Sequence, residues 1–234
     1  MRKLMGVDLG KRQDYSAAIT IERGLVEQDR DGLPESWAHQ QQKIIAAARY
    51  DVIDIKRWDL GTDYLDVIPA VRKALWHPQL LHKTTLVVDA TGVGEAVIEV
   101  MERLKMDPNG VMLTAGTSSR LDADTGLYHV AKQTLVTKIQ LAFQGGRIKI
   151  NPELELAGAL EEELRKFTLK TTQARNDTYE AFSEKDHDDM VIALAIAIWF
   201  AESEWGTEVV VGAGRHGKQD YDPLRSTSKD TLRN

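Results

Sequence analysis

The stretch Met190–Phe200, MVIALAIAIWF, constrains this chain more than any other, because none of its side chains is charged. As a helix it has no polar face, so it must be covered nearly all round. It is also too short for a bilayer span, which needs roughly 18 or more apolar residues, and no run in the chain reaches that length. The helix must therefore be buried inside a domain. A chain of 234 residues is long enough to bury such a core, and 42% hydrophobic against 28% charged residues is a globular balance that excludes disorder or a fibrous architecture.

The other elements follow from periodicity. Leu4–Leu9 reads as a short apolar strand, Gly10–Asp14 as a turn and Ser16–Glu22 as a second strand, giving a hairpin. Gln28–Gln42 is a polar excursion, and Arg49–Trp58 alternates as a third strand. Tyr64–Trp76 is helical, Thr84–Asp89 is a continuous apolar strand, and Val93–Leu104 repeats apolar residues at helical spacing. Val111–Thr114 is a further strand. A helix from Ala131 to Phe143 stops at Gly145-Gly146, and Asn151-Pro152 opens a helix carrying Leu156, Leu160, Leu164 and Phe167. Phe167–Phe182 reads as a basic hairpin turning near Arg175-Asn176-Asp177. Three antiparallel strands followed by strand–helix alternation predict a mixed α/β sheet with helices on both faces. We expect one domain over 1–204 and a mobile tail over 205–234, which is poor in apolar residues beyond Val211.

Several carboxylates border apolar elements. Asp8 ends the first strand, Asp89 ends the Thr84–Val88 strand, and Asp188-Asp189 open the buried helix. Ionised groups at such places are costly unless compensated. If the strands are neighbours, these side chains gather at one sheet end, and a hard divalent cation such as Mg²⁺ or Mn²⁺ is the usual remedy for their repulsion. Each also has an ordinary reading. A strand-end Asp is a common turn residue, and Asp in a first helical turn suits the helix dipole. Asp14 can be a further ligand or a turn residue. The absence of cysteine removes disulfides, thiolate metal sites and cysteine nucleophiles, and fits a reducing cytoplasm. The start Met1-Arg2-Lys3-Leu4 opens no signal-peptide core.

GVDLG (Gly6–Gly10), VVDATGVGEAV (Val87–Val97), VAKQTLVTKIQLAFQGGRIKI (Val130–Ile150) and HDDMVIALAIA (His187–Ala197), in that order, resemble the nuclease domain of bacteriophage terminase large subunits. The resemblance spans roughly Leu4 to Ala201 and implies an RNase H-like fold related to Holliday-junction resolvases. It implies endonucleolytic cutting of double-stranded DNA with two Mg²⁺ or Mn²⁺ ions, as in concatemer cleavage during genome packaging. By resemblance Asp8, Asp89 and Asp189 are the catalytic ligands, Asp188 belongs to the second ion's surroundings, the sequence itself leaving the order of Asp188 and Asp189 open, and Asp14 is an accessory acid. His187 stands where related nucleases place a polar or ligand residue. The resemblance further implies a packaging ATPase domain, a small terminase subunit and a portal as partners, no membrane, and action in the cytoplasm of an infected bacterial host. The chain departs from complete large subunits in lacking a G-x-x-x-x-G-K-[ST] phosphate loop, so ATP-driven translocation is not expected of it alone.

Lys+Arg 30 against Asp+Glu 36 gives a net charge of -6, which excludes a wholly basic coat but not local patches. Lys132, Arg165, Lys166, Lys170 and Arg175 are candidate DNA contacts, with Lys138, Arg147 and Lys149 near them in sequence, although solvated surface charge is the plainer reading. Gly92 and Gly94 suit either a tight strand-to-helix turn or a phosphate at the following helix N-terminus. Three alternatives stand beside the terminase likeness. They are a junction-resolving endonuclease, an ATPase of the actin and sugar-kinase type suggested by DLG and DATGVG, and a non-catalytic docking module.

Overall fold

A computed structural model describes residues 2–10, 14–27, 43–91, 94–116, 118–173 and 188–212. The elements are β1 (Arg2–Asp8), β2 (Ala17–Glu27), β3 (Lys43–Arg57), α1 (Tyr64–Leu75), β4 (Thr84–Asp89), α2 (Glu95–Arg103) and β5 (Pro108–Thr114), followed by β6 (Arg120–Leu121), β7 (Tyr128–Ala131), α3 (Lys132–Gln144), β8 (Ile148–Ile150), α4 (Ala157–Gln173), α5 (Asp189–Trp205) and β9 (Glu208–Gly212). The strands form one sheet in the order β6-β7-β5-β4-β1-β2-β3-β8, with β9 also pairing with β3. β1, β2 and β3 are antiparallel neighbours, while β4, β5 and β7 run parallel to β1. The predicted mixed sheet is therefore present.

Strand alternation divides the core into two layers. Leu4, Ala17, Ile19, Tyr50, Val87 and Val111 face α3, α4 and α5. Met5, Val7, Ala18, Leu86 and Val88 face α1 and α2. Helices thus cover both faces. Between Asp189 and Glu202 every residue of α5 except Ile192 is buried, as its uninterrupted apolar sequence requires. Among the described residues no helix is long and apolar enough to cross a membrane.

Gly6 fixes how closely α5 approaches. A Cβ there would run into the Ala193 carbonyl and meet the Ala197 Cβ at 3.1 Å. The helix runs antiparallel to β1, since the Arg2 guanidinium lies 4.4 Å over the Trp205 ring while Gly6 touches Ala193. One helical turn before Ala193 comes Asp189, and two residues after Gly6 comes Asp8, both advances being about 6 Å. Gly94 enters α2 at φ 71, a left-handed conformation that suits glycine.

Three expectations need correction. Phe167–Gln173 are not the arm of a basic hairpin but the last turns of α4, because Phe167 continues the buried row of Leu160 and Leu164. Residues 174–182 of that expected hairpin lie outside the described residues. The helix expected from Asn151-Pro152 begins only at Ala157. Asn151 instead accepts the Glu153 N–H at 3.1 Å and starts a run of turns. Trp205 and β9 fall in the stretch assigned to the tail, yet Trp205 closes α5 and β9 pairs with Lys43–Ala47.

Candidate metal centre

Backbone register brings the first two aspartates together. Asp8 and Asp89 are opposite each other in the parallel β1–β4 ladder, the last pair of that register. Residues paired across neighbouring strands point to the same sheet face. Their face is that of α5, because Leu4 and Val87, an even number of residues earlier on each strand, belong to the layer packed against α5. The N-terminus of α5 comes down on the same place and delivers Asp188 and Asp189. Asp188 is the N-cap residue, but its side chain does not cap the helix.

The electrostatics report the crowding. Asp8 is half-buried, and burial raises its carboxyl well above the ordinary 3.8, with Asp89, Asp189, Asp188 and Asp14 each pushing it further. The Asp14 charge thus bears on Asp8, and near them the Gly10 N–H donates to Ser16 Oγ at 3.0 Å. Asp89 is 7% exposed and is also raised, by burial. Thr91 and the Lys132 charge oppose that rise. The Thr91 N–H donates to Asp89 Oδ1 at 2.8 Å, and the Thr91 hydroxyl is itself held as acceptor of the Leu113 N–H at 2.8 Å. Asp189 is 6% exposed and Asp188 is half-buried.

Two members of the site were not singled out from the sequence. Glu163 on α4 receives Arg57 NH1 on Oε1 at 2.9 Å. Its carboxyl is raised to about 7, first by burial and then by Asp189 and Asp188, against the pull of Arg57. Arg57 ends β3 with its guanidinium 5.0 Å over the Tyr15 ring. Nothing in the local sequence distinguishes Glu163 from its exposed neighbours Glu161 and Glu162. Only the helical spacing that buries Leu160, Leu164 and Phe167 places it toward the core.

The basic residues named from the sequence lie in different places. Lys132 begins α3 and acts on Asp89. Arg165 and Lys166 are exposed on α4, and Lys166 reaches Glu162 at 2.7 Å. Lys170 falls in α4, while Arg175 and His187 lie outside the described residues. Lys138 and Arg147 are committed elsewhere. They bind buried Glu202 at 2.8 and 3.1 Å, and Tyr50 OH donates to the same carboxylate at 3.1 Å.

The donor set suits hard divalent cations, since every candidate ligand is a carboxylate oxygen. Asp8, Asp14, Asp89, Asp188, Asp189 and Glu163 face Arg57 and Lys132, which leaves four negative charges when all ionise, the charge of two divalent ions. The side chains face one another without forming a ready-made cage. Among the described residues no group of three His, Asp or Glu is drawn tightly enough to hold an ion.

No family model and no curated protein sequence matches the chain. Among solved structures it is similar to the large terminase nuclease from the thermophilic phage G20c, at 18% identity and TM-score 0.50, covering 84% of this chain and 80% of that one. It is also similar to the manganese-soaked terminase nuclease domain of human cytomegalovirus, at 12% identity and TM-score 0.45, covering 89% and 87%. The likeness to the phage G20c structure shows the fold, an RNase H-like mixed sheet with helices on both faces.

Proposed function

We propose that this chain is a divalent-metal-dependent endonuclease that cuts double-stranded DNA with little sequence preference, in the setting of phage genome packaging. One observation carries the reading: the register that pairs Asp8 with Asp89 on the very face where α5 delivers Asp188 and Asp189. The shared fold with a phage terminase nuclease supports it.

Asp8, on which the charges of Asp89, Asp189, Asp188 and Asp14 all bear, would be the central ligand. Asp89, oriented by Thr91, and Asp189 would hold the cations with it, and Asp188 and Asp14 would add further carboxylate oxygens. Bound divalent cations supply an activated water and stabilise the leaving 3′ oxygen. The chain's own residues hold the carboxylates in place, limit solvent at Asp89 and Asp189, and offer Lys132 beside Asp89 for a phosphate. Arg165 and Lys166, exposed on α4, would contact the duplex, and Lys170 and Arg175 follow them in sequence as further candidate contacts. Such contacts read backbone rather than base edges, so low sequence preference follows. A packaging ATPase, a small terminase subunit and a portal are the partners this reading assigns, in the host cytoplasm.

Relaxation or linearisation of supercoiled plasmid tests the proposal. Mn²⁺ or Mg²⁺ should support cutting and EDTA should stop it. Asp89→Asn should lose roughly a hundredfold or more while remaining folded. Full activity in that variant, or cutting in EDTA, overturns the reading. A strong preference for four-way junctions over linear duplex would replace it with the resolvase alternative.

A further inference from the structure

Asp89, Asp8, Ala17 and Arg57 form one row across four adjacent strands, each paired with the next. Arg57 therefore points to the α5 face alongside the two aspartates. Its ion pair with Glu163 uses Oε1 alone. Glu163 Oε2 is buried and takes no hydrogen bond from any described residue, in a side chain only 14% exposed. An ion pair that merely fastened α4 to β3 would account for Oε1 and leave Oε2 as an uncompensated buried acceptor. The charges that bear on this carboxyl from the packed elements are Arg57 on β3 and Asp188 and Asp189 at the start of α5. The second oxygen thus belongs to the same acidic enclosure as the α5 aspartates.

We infer that Glu163 is a further oxygen donor to a cation held on the α5 side of the site, through Oε2, while Arg57 offsets part of its charge on Oε1. The inference rests on the metal-centre reading above and adds a ligand that no sequence motif marks. The Glu163 carboxylate then completes the ligand set from α4, an element separate from β1, β4 and α5.

Mn²⁺ titration of the metal-stripped full chain tests this directly, by electron paramagnetic resonance of the free ion, without reference to cutting. The unaltered chain should take up two ions. Glu163→Gln should weaken the weaker ion by roughly tenfold or more and spare the tighter one. Arg57→Met, which removes the ion pair but keeps the carboxylate, should bind Mn²⁺ at least as well as the unaltered chain. Equal binding by Glu163→Gln and the unaltered chain overturns the inference and leaves the metal centre standing. Equal weakening by both variants also overturns it, since it would mean that only the fastening of α4 matters. An unaltered chain that binds no Mn²⁺ overturns the inference and the metal centre together.

Discussion

Glu163 holds its proton to about 7, against an ordinary 4.5, because burial and two neighbouring aspartates outweigh Arg57. The unfolded chain gives up that proton first as pH rises, so the native state loses stability across this window. Glu163's contribution is fully present below the unfolded value and gone above the folded one, and a shift of this size is worth on the order of 3 kcal/mol. Asp8 and Asp89 are raised too and act in the same direction. Thermal melting in EDTA should therefore show the chain less stable at pH 7.5 than at pH 5, and Glu163→Gln should flatten the slope. A melting temperature that rises over that interval contradicts the arrangement. At this scale the sequence was informative where a carboxylate interrupts an apolar run, as at Asp8, Asp89 and Asp189. It was silent at Glu163, Arg57 and Thr91, which sit in ordinary polar surroundings and gain meaning only through partners far along the chain.

The element that sets the geometry is α5, and its position depends on the missing side chain at Gly6. Gly6→Ala would press a methyl into the Ala193 carbonyl, a backbone atom that cannot turn away. The helix must then lift from β1, carrying Asp189 away from Asp8. Overpacking of this kind costs about 1–3 kcal/mol, read as a lower urea midpoint, and Mn²⁺ affinity should fall with it. Gly158 on α4 is the control. Nothing lies within 4 Å of a Cβ there, so Gly158→Ala should be neutral or stabilise by up to about 1 kcal/mol and leave Mn²⁺ binding alone. If Gly6→Ala behaves like Gly158→Ala, the close approach of α5 is wrong. The long periodic elements were legible for the same reason that α5 was: Val67, Ile68, Val71 and Leu75 of α1, or the alternation of β3, repeat over enough residues to identify a period. β6, β8 and β9 span two, three and five residues and exist only because a neighbouring strand pairs with them. The end of α4 misled through Thr168, Thr171 and Thr172, β-branched residues that suit strands, where the buried row ending in Phe167 prevails.

Across the whole molecule, the sheet order places β1 between β4 and β2, so the C-terminal ends of β1 and β4, Asp14, the start of α5 and the middle of α4 come to one place. Sequence gives the order of elements but not this adjacency, because register is a property of pairs of strands. The arrangement sets stability against function. A fold that gathers six carboxylates carries their mutual repulsion, which bound cations would relieve and which deleting a charge relieves equally well. Asp89→Asn keeps an oxygen for the Thr91 N–H while removing one negative charge from beside Asp8. In EDTA at neutral pH this variant should melt higher than the unaltered chain, by about 1 kcal/mol in stability. With Mn²⁺ at about 100 times its dissociation constant the order should reverse, since binding to the native state alone contributes about 2.7 kcal/mol to the unaltered chain and little to the variant. A variant that is less stable in EDTA and still stabilised by Mn²⁺ would mean that Asp89 is an ordinary structural acid, and that the repulsion at the end of β1 and β4 is not what a cation relieves.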